Sequence, residues 1–220
     1  MEKQVMVVGL GQFGMALTRV LSERGVEVLA VDEDDKRVRV ASQYATEALC
    51  FDATDEEALG ATAPGRRDVC VCAIGDEATE ASIVCTALLK QMGAKLLVAR
   101  VNSDLHERIL RLVGADVVVN PERAFGERFA NQIMHEGVLG ELPLGSDLVI
   151  TELELPKAFA GRNLIELSLP RRFKVTVVAV RRTDEPEAAV QPDPKAPLSV
   201  GDVLVVVSPN DAVAKMLEKV

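Results

Sequence analysis

The chain has 220 residues, of which 48% are hydrophobic and 27% charged, so it is neither a peptide hormone nor a collagenous or disordered protein. Acidic residues outnumber basic ones by 34 to 25. The resulting net charge of −9 argues against a general nucleic-acid-binding protein, which needs a cationic surface. Aromatic residues make up only 3% of the chain, and an aliphatic core is typical of a buried parallel sheet.

Six short, continuous apolar runs predict strands that are buried on both faces of a sheet. They cover residues 5–8, 26–31, 48–51, 69–74, 96–101 and 117–119. The helical patterns between them cover residues 13–24, 34–44, 55–61, 77–92 and 104–113. This alternation predicts an α/β domain, a Rossmann-like parallel sheet with helices on both faces.

The pattern changes after residue 120. Residues 121–135 predict another helix, in which Phe125, Phe129 and Ile133 form an apolar stripe, so the first domain is assigned to residues 1–135. Residues 136–147 contain three glycines and a proline and are interpreted as a linker. The remaining patterns predict a small α+β domain over residues 148–220. Its strands are expected at residues 148–155, 175–180 and 203–207, and its helix at 211–218.

Two sequence features bear on the cellular location. No apolar run approaches the roughly 18 to 20 residues of a membrane-spanning helix, and the N-terminus lacks the pattern of a signal peptide. The chain is therefore predicted to be soluble and cytoplasmic. Cys70 and Cys72 alternate within one apolar run, so both thiols are expected on one face as small buried side chains. A metal site is the alternative, but no second Cys or His pair has a suitable spacing.

The run GLGQFG at residues 9–14 follows the first predicted strand and opens the first predicted helix. In this position it is typical of a dinucleotide-binding loop. Gly9 permits the tight turn, Gly11 the close approach of a pyrophosphate, and Gly14 the close packing of helix on strand. The N-terminus of the helix offers backbone N–H groups and the positive end of its dipole to the phosphates.

Asp32 ends the second predicted strand, eighteen residues after Gly14. A carboxylate at this position accepts hydrogen bonds from both ribose hydroxyls of an adenosine and repels a 2′-phosphate. The pattern therefore favours NAD, NADH or another adenine nucleotide over NADP. A glycine turn beside a solvated acid is the purely structural alternative.

Three further polar residues follow predicted strands. Asp52, Asp76 and Arg100 come at the ends of the third, fourth and fifth strands, and ligands of open α/β sheets bind beyond such carboxyl ends. Asp76 is explained equally well as a helix N-cap, and Arg100 as a member of a surface ion pair. The candidate nucleotide site also includes four neighbouring positions, Gln12, Phe13, Ala73 and Ile74.

Groups for catalysis are scarce. A nicotinamide-dependent dehydrogenase needs a general acid or base, but the two histidines, His106 and His135, fall within predicted helices and are interpreted as surface residues. The chain also lacks a serine nucleophile elbow and a GxxxxGK phosphate-binding loop. The first domain is therefore predicted to hold a nucleotide without reacting it.

Longer runs resemble one family. GLGQFG, LAVDED, FDATDEEAL, VCAIGDEATEAS and VARVNSDLHERILRLVGADVVVNPE resemble the N-terminal RCK domain (regulator of K⁺ conductance), also called TrkA-N. GRNLIELSLP, VVAVRR and PLSVGDVLVVVSP resemble the C-terminal RCK domain, TrkA-C. The resemblance covers nearly all of residues 3–220. One copy of each domain is more similar to the Ktr-type regulatory subunits than to the duplicated Trk type.

The resemblance implies a regulatory subunit, not an enzyme. Proteins of this family form dimers that assemble into an octameric ring beneath a membrane potassium transporter or channel, so the chain is expected at the inner face of the membrane. Nucleotide exchange in the ring then changes the opening of the pore. By matching positions, the nucleotide is expected at Gly9, Gly11, Gly14, Asp32 and Asp52.

The same resemblance implies finer details. Glu122 matches a glutamate that helps to place a divalent cation such as Mg²⁺. Gln12 stands where ATP-sensing members often have an arginine, which leaves the choice between ATP, ADP and NAD(H) open. The helix with the apolar stripe is expected to cross between subunits; packing on its own domain is the alternative. Cyclic di-AMP is a further possible ligand, with its C-domain site sought at Leu164, Ile165 and Arg171.

The expected function is thus nucleotide-dependent gating of a potassium transporter. A small NAD-dependent oxidoreductase, with the C-terminal domain as its substrate cap, is the alternative from another class. Turnover of NADH with a carbonyl substrate would favour that alternative.

Overall fold

The computed structural model describes residues 3–75, 78–185 and 188–220. The chain forms two compact units, Met1–Pro121 and Glu122–Val220. The boundary between them lies after the first residue of the helix Pro121–Met134, which the sequence had assigned to the first domain. The apolar stripe of this helix is exposed in the single chain, where Phe125 is 65% and Ile133 is 69% exposed.

The first unit contains a six-stranded parallel sheet in the order β3-β2-β1-β4-β5-β6. Its strands are β1 (Gln4–Val8), β2 (Glu27–Asp32), β3 (Glu47–Cys50), β4 (Val69–Cys72), β5 (Leu97–Arg100) and β6 (Val117–Val119). Its helices are α1 (Gln12–Glu23), α2 (Asp35–Ala41), α3 (Glu56–Ala61), α4 (Thr79–Gln91) and α5 (Asp104–Val113), with a 3₁₀ turn at Pro64–Arg66. The predicted Rossmann-like sheet is confirmed.

The sheet is buried on both faces, as its continuous apolar strands require. Met6 and Val8 of β1 join the hydrophobic core on one face, and Val5 and Val7 join the core on the other. Cys70 and Cys72 of β4 are fully buried in the first of these cores, where the sequence placed them as small apolar side chains.

Two helices that border the carboxyl edge of this sheet begin at polar caps. The Asp34 carboxylate accepts the Lys36 N–H at 2.8 Å at the start of α2, and Ser103 Oγ accepts the His106 N–H at 3.2 Å at the start of α5. The caps satisfy N–H groups that have no partner inside the helix. The caps therefore define where α2 and α5 begin along this edge of the sheet.

The second unit contains a five-stranded antiparallel sheet in the order β10-β9-β11-β8-β7. The strands are β7 (Val138–Leu144), β8 (Leu148–Glu154), β9 (Thr176–Arg181), β10 (Ala189–Val190) and β11 (Val203–Pro209). The helices are α6 (Pro121–Met134), α7 (Leu164–Leu167), α8 (Leu169–Phe173) and α9 (Ala212–Leu217), with a 3₁₀ turn at Lys157–Phe159. The predicted small α+β domain is confirmed.

The interpretation of residues 136–147 as a linker is wrong, because Val138–Leu144 forms the edge strand β7 and pairs with β8. An edge strand tolerates the features that suggested a linker. Proline has no backbone N–H to donate, and at Pro143 none is needed on the free edge of the sheet. The register also shifts between Val138 and Gly140. Gly145 then turns the chain with a φ of +79°.

One face of the second sheet carries the core of this unit. Leu153, Val180, Leu204 and Val206 are fully buried there, beneath the short helices α7 to α9. In the described part of the chain, no helix is long and apolar enough to cross a membrane.

Candidate functional site

The glycine-rich loop lies between β1 and α1. Gly9 has a φ of +93°, and a Cβ atom on it would lie 2.8 Å from the Ile74 nitrogen and 2.9 Å from the Ala73 carbonyl carbon. A Cβ on Gly14 would collide with the carbonyl oxygen of Gly9. Gly9 and Gly14 are therefore glycines because the loop packs tightly against the end of β4 and against α1.

Gly11 differs from these two glycines because a Cβ atom on it would meet no atom within 4 Å. It is the N-cap residue of α1, and among the described residues no side chain caps this end of the helix. The first N–H groups of a helix have no acceptor within the helix itself. This is the geometry in which a helix N-terminus accepts a phosphate.

The Asp32 carboxylate lies beside the glycine-rich loop. Asp32 is 6% exposed at the end of β2. Its Oδ2 accepts the Leu10 N–H at 2.5 Å, and its Oδ1 accepts the Asp34 N–H at 2.9 Å. These two bonds hold the carboxylate against the loop. A carboxylate has about four lone-pair positions, so the Asp32 oxygens retain capacity for the hydroxyls of a ribose.

Arg37 of α2 lies beside the same carboxylate. Its Nη1 is 3.6 Å from Asp32 Oδ2 and its Nε is 3.7 Å from Asp34 Oδ2. The Arg37 side chain is 54% exposed, so solvent screens this long ion pair and makes it weak. The sequence reasoning did not include Arg37 in the site. Its position five residues after Asp32, on the first turn of the next helix, was the available signal.

Asp52 stands at the end of β3 with its carboxylate oriented by Thr54. Its Oδ1 accepts the Thr54 N–H at 2.8 Å and the Thr54 hydroxyl at 2.7 Å. The backbone N–H of Thr54, followed by its hydroxyl, holds the pKa of Asp52 below its ordinary value. The group is therefore ionised at neutral pH, near the carboxyl end of β3.

The other candidates at this edge have different surroundings. Ala73 is buried and its N–H donates to the Val8 carbonyl at 2.7 Å, which joins the end of β4 to β1. Arg100 Nη1 lies 3.1 Å from the position that a Cβ on Gly75 would occupy, so its guanidinium reaches across to the residues after β4. Gln12 is exposed, and Phe13 and Ile74 are half-buried against the cores. Asp76 lies outside the described residues.

A cavity of about 450 Å³ opens farther along the edge, beyond the end of β5. It is lined by Thr79, Asn102, Ser103, Leu105, His106 and Ile109. The interpretation of His106 as a surface residue is wrong, since it is only 3% exposed. His106 and Leu110 are four residues apart and lie on the buried face of α5. That spacing was the signal that sequence reasoning missed.

A second cavity, of about 500 Å³, lies in the second unit and has a structural origin. Its lining includes Arg182, Thr183 and Asp202. Asp202 is 1% exposed, and its carboxylate accepts Arg182 Nη1 at 2.7 Å and the Ser199 N–H at 2.9 Å. These partners already occupy the Asp202 carboxylate. The residues around the cavity therefore form a hydrogen-bonded turn, and no acceptor of Asp202 is left for a ligand.

The residues implied for a divalent cation and for cyclic di-AMP lie in the second unit. Glu122 is exposed in the first turn of α6. Leu164 is half-buried and Ile165 is 59% exposed in α7, while Arg171 is exposed in α8. Within the described ranges, no group of three or more His, Cys, Asp or Glu side chains could hold a metal ion.

Comparison with known proteins gives the same two-part division. The family model of the TrkA-N domain matches residues 5–121, and that of the TrkA-C domain matches residues 148–220. Together the two models cover most of the chain.

Two relatives match over almost their entire length. The Ktr system potassium uptake protein A of Vibrio alginolyticus is 34% identical over 217 residues, which are 99% of this chain and 97% of the relative. The Ktr system potassium uptake protein C of Bacillus subtilis is 32% identical over 220 residues, which are 100% of this chain and 98% of the relative.

Solved structures share the fold. The GsuK channel bound to NAD superimposes with a TM-score of 0.66 at 17% sequence identity, covering 97% of this chain and 38% of the GsuK chain. At this level of identity the superposition establishes the fold alone.

Proposed function

Because the chain belongs to the family of potassium-uptake proteins that are built from a TrkA-N and a TrkA-C domain, we propose that it is the nucleotide-sensing regulatory subunit of a membrane potassium transporter or channel. The observation that carries this proposal is the glycine-rich loop at the start of α1, whose Leu10 N–H donates to the buried Asp32 carboxylate. The start of a helix and a carboxylate at the end of the second strand are the two groups that a phosphate and a ribose require.

The ligand that fits this space is an adenine nucleotide, ATP or ADP, or the dinucleotide NAD(H). The Asp32 carboxylate takes the ribose hydroxyls, and the first turn of α1 takes the phosphates. Four consecutive acidic residues, 32–35, oppose a 2′-phosphate and so disfavour NADP(H). The GsuK channel, which shares the fold, is named as binding NAD. Arg100, at the end of β5, would place a positive charge near a pyrophosphate.

Regulation then follows from differential affinity. A ligand shifts the equilibrium between two conformations only by as much as it binds one of them more tightly than the other. The chain needs no general acid or base for this role, and we propose that it is not an enzyme. An oxidoreductase would reveal itself by turnover of NADH with a panel of carbonyl compounds.

We further propose that the chain acts as a homo-oligomer, dimers arranged in an octameric ring at the cytoplasmic face of its membrane partner. The names of the Ktr relatives support a potassium-uptake partner. The exposed stripe of α6 supports the assembly: the rings of Phe125 and Phe129 stack at 5.6 Å, and both residues are at least 48% exposed in the single chain. Burial of such a stripe between subunits would stabilise a dimer.

Two finer assignments remain proposals. Glu122 supplies one carboxylate for a divalent cation such as Mg²⁺, whose other ligands would include phosphate oxygens. The surface of α7 and α8 that contains Leu164, Ile165 and Arg171 receives cyclic di-AMP. Ile165 and Arg171 are exposed and Leu164 is half-buried beside them, so this surface is accessible to a ligand.

The test is a thermal-shift panel of ATP, ADP, NAD, NADH, NADPH and cyclic di-AMP, with and without Mg²⁺. A ligand that binds only the folded chain raises the melting temperature as its concentration exceeds the Kd. We expect Asp32→Ala to abolish the shift produced by the adenine nucleotides. Asp35→Ala is the matched control, because Asp35 pairs with Arg39 at 2.8 Å on the exposed side of the same segment.

Equal shifts in the wild-type chain and in Asp32→Ala would contradict the site. The absence of a shift with every nucleotide in the wild-type chain would contradict the proposed function itself.

A further inference from the structure

Three cysteines of the first unit lie in one hydrophobic core. Cys70 and Cys72 of β4 and Cys85 of α4 are fully buried there, and the thiols of Cys72 and Cys85 are hydrogen-bonded to each other. We propose that Cys72 and Cys85 are an oxidisable dithiol, which a peroxide converts into a disulfide that weakens nucleotide binding. The effect on binding rests on the proposed function, whereas the formation of the disulfide does not.

The surroundings of Cys72 favour its ionised form. Its Sγ lies 3.8 Å from the Ser82 hydroxyl oxygen, and the Ile74 N–H also donates to it. The hydrogen bond from the Cys85 thiol has the largest influence and lowers the pKa of Cys72, although burial acts in the opposite direction. The thiolate is the nucleophilic form of cysteine. Cys72 is therefore the sulfur that attacks a peroxide.

Cys85 has the complementary role in the pair. Its hydrogen bond to Cys72, followed by its burial, raises the pKa of Cys85 well above the ordinary value, so this thiol keeps its proton until it reacts. Ser82 and Cys85 are three residues apart on α4 and thus share one face of the helix. Because the Ser82 carbonyl oxygen also accepts the Cys72 thiol at 3.7 Å, this face of α4 holds both sulfurs together.

The reaction is balanced with hydrogen peroxide as the oxidant. The Cys72 thiolate attacks one peroxide oxygen and the O–O bond breaks, which gives a sulfenic acid; the departing hydroxide becomes water with the proton that Cys72 released. The Cys85 sulfur then attacks the Cys72 sulfur and the S–O bond breaks, so a second hydroxide leaves as water with the Cys85 proton. Two thiols lose two electrons, and one peroxide becomes two waters.

Burial selects the size of the oxidant. Cys72 and Cys85 are both 0% exposed, so a reagent reaches them only when the fold opens locally. Hydrogen peroxide is little larger than water and needs a small opening, whereas a peptide disulfide needs a large one. We therefore expect the pair to react with hydrogen peroxide and to resist a bulky disulfide such as oxidised glutathione.

Cys72 is joined directly to the residues on which the glycine-rich loop packs. The Ala73 N–H donates to the Val8 carbonyl at 2.7 Å, and a Cβ on Gly9 would lie 2.8 Å from the Ile74 nitrogen. A covalent S–S bond of about 2.05 Å is shorter than a hydrogen bond. Its formation therefore draws Cys72 and α4 together and shifts Ala73 and Ile74 against Gly9. This tight packing leaves the loop no room to adjust, so the nucleotide is bound less well.

Cys70 provides a matched control on the same strand. It is also fully buried in this core, but its Sγ donates to the Pro64 carbonyl at 3.6 Å. Burial raises the pKa of Cys70 to about 11, which keeps this thiol protonated. Cys70→Ala therefore removes a buried thiol from the core and leaves both members of the pair in place.

The experiment treats the full chain with hydrogen peroxide, removes the excess, and then maps disulfides by mass spectrometry and measures NADH affinity by calorimetry. In the wild-type chain we expect a disulfide between Cys72 and Cys85 and an NADH affinity lower by about fivefold or more, a usual coupling between sites. Dithiothreitol should restore the affinity. This reversal distinguishes the disulfide from methionine sulfoxide, which an enzyme must reduce.

Two variants separate the pair from the other thiols. Cys85→Ala should form no disulfide with Cys72 and should keep its NADH affinity after peroxide. It retains the exposed Cys50, so any effect of oxidation at Cys50 would also appear in this variant. Cys70→Ala should behave like the wild-type chain. Should Cys85→Ala not fold, Cys72→Ala replaces it, with its NADH affinity compared before and after peroxide.

Free thiols at Cys72 and Cys85 after peroxide, or a disulfide that involves Cys70, would overturn the inference and leave the proposed function intact. So would a disulfide between Cys72 and Cys85 that left the NADH affinity unchanged. If the reduced wild-type chain bound none of ATP, ADP and NADH, the proposed function would fail, and the effect on binding would fail with it whatever the disulfide map showed.

Discussion

Two buried aspartates, one in each unit, show how similar carboxylates serve different purposes. Asp32 is 6% and Asp202 is 1% exposed, and each accepts backbone N–H groups and has an arginine nearby. The arginine of Asp202 is 2.7 Å away, whereas that of Asp32 is 3.6 Å away and half exposed. Asp202 is saturated by its own turn. Asp32 has fewer close partners and keeps acceptor capacity, which is what a binding carboxylate requires.

Substitution of the glycine near each aspartate is expected to give the largest difference between the two units. Gly11→Ala adds a methyl group to open space, so we expect the stability to change by less than about 0.5 kcal/mol. The methyl occupies the path of the pyrophosphate, and the affinity for NADH should fall by about 100-fold, equivalent to about 2.7 kcal/mol. Calorimetry of NADH binding and urea unfolding measure the two quantities.

Gly201→Ala is the control for that substitution and should behave in the opposite way. Gly201 has a φ of +88°, and its Cβ would lie 2.9 Å from Thr183 Oγ1. The strain should cost about 1–3 kcal/mol of stability and leave the affinity for NADH unchanged. If Gly11→Ala lowered the stability as much as Gly201→Ala, the space at Gly11 would not be open.

The carboxylates themselves provide the next contrast. Asp202→Asn removes the charge that pairs with Arg182 and leaves a neutral acceptor in a closed turn, so we expect a loss of about 1–3 kcal/mol of stability. Asp32→Asn also opposes one of two backbone N–H groups, but its arginine is screened and half exposed, so its loss should be smaller than that of Asp202→Asn. Chemical denaturation of both variants measures the difference. Equal losses would mean that Asp32 is also a structural carboxylate.

The smallest expected effect is the loss of the stabilisation by Asp202 at acid pH. Burial by itself would raise the pKa of Asp202, but the Ser199 N–H and the Arg182 guanidinium bring it below the ordinary value. A carboxyl whose pKa is lowered by folding stabilises the fold above its unfolded pKa, about 3.9, and loses this contribution as the pH falls through the folded pKa. The Tm difference between the wild-type chain and Asp202→Asn should therefore shrink below about pH 4. A difference that stayed constant from pH 7 to 3 would contradict the assignment.

Most of the first unit could be predicted from the sequence because its strands are buried on both faces. Continuous apolar runs such as residues 5–8 leave few alternatives, and the loop at Gly9 and Gly14 has the steric need for glycine that the pattern indicated. The placement of Asp32 followed from the end of β2, since the carboxyl ends of parallel strands meet at one edge.

The errors came where tertiary context decides. The edge strand β7 contains Gly140 and Pro143, which read as a linker because local patterns do not show that β8 is available as a partner. His106 was assigned to the surface from its position in a helix, yet packing turned that face of α5 inward. The cavity that it lines joins Thr79 and Asn102, which are 23 residues apart, and no local pattern connects them.

The central claim is that the buried carboxylate of Asp32 and the first turn of α1 bind a nucleotide. The most direct test is a crystal structure of the full chain with NADH. We predict that the adenosine ribose hydroxyls lie within hydrogen-bond distance of Asp32, about 2.6–3.2 Å, with the pyrophosphate over Gly11. A dinucleotide bound elsewhere on the chain, with the space at Asp32 filled only by water, would contradict the account.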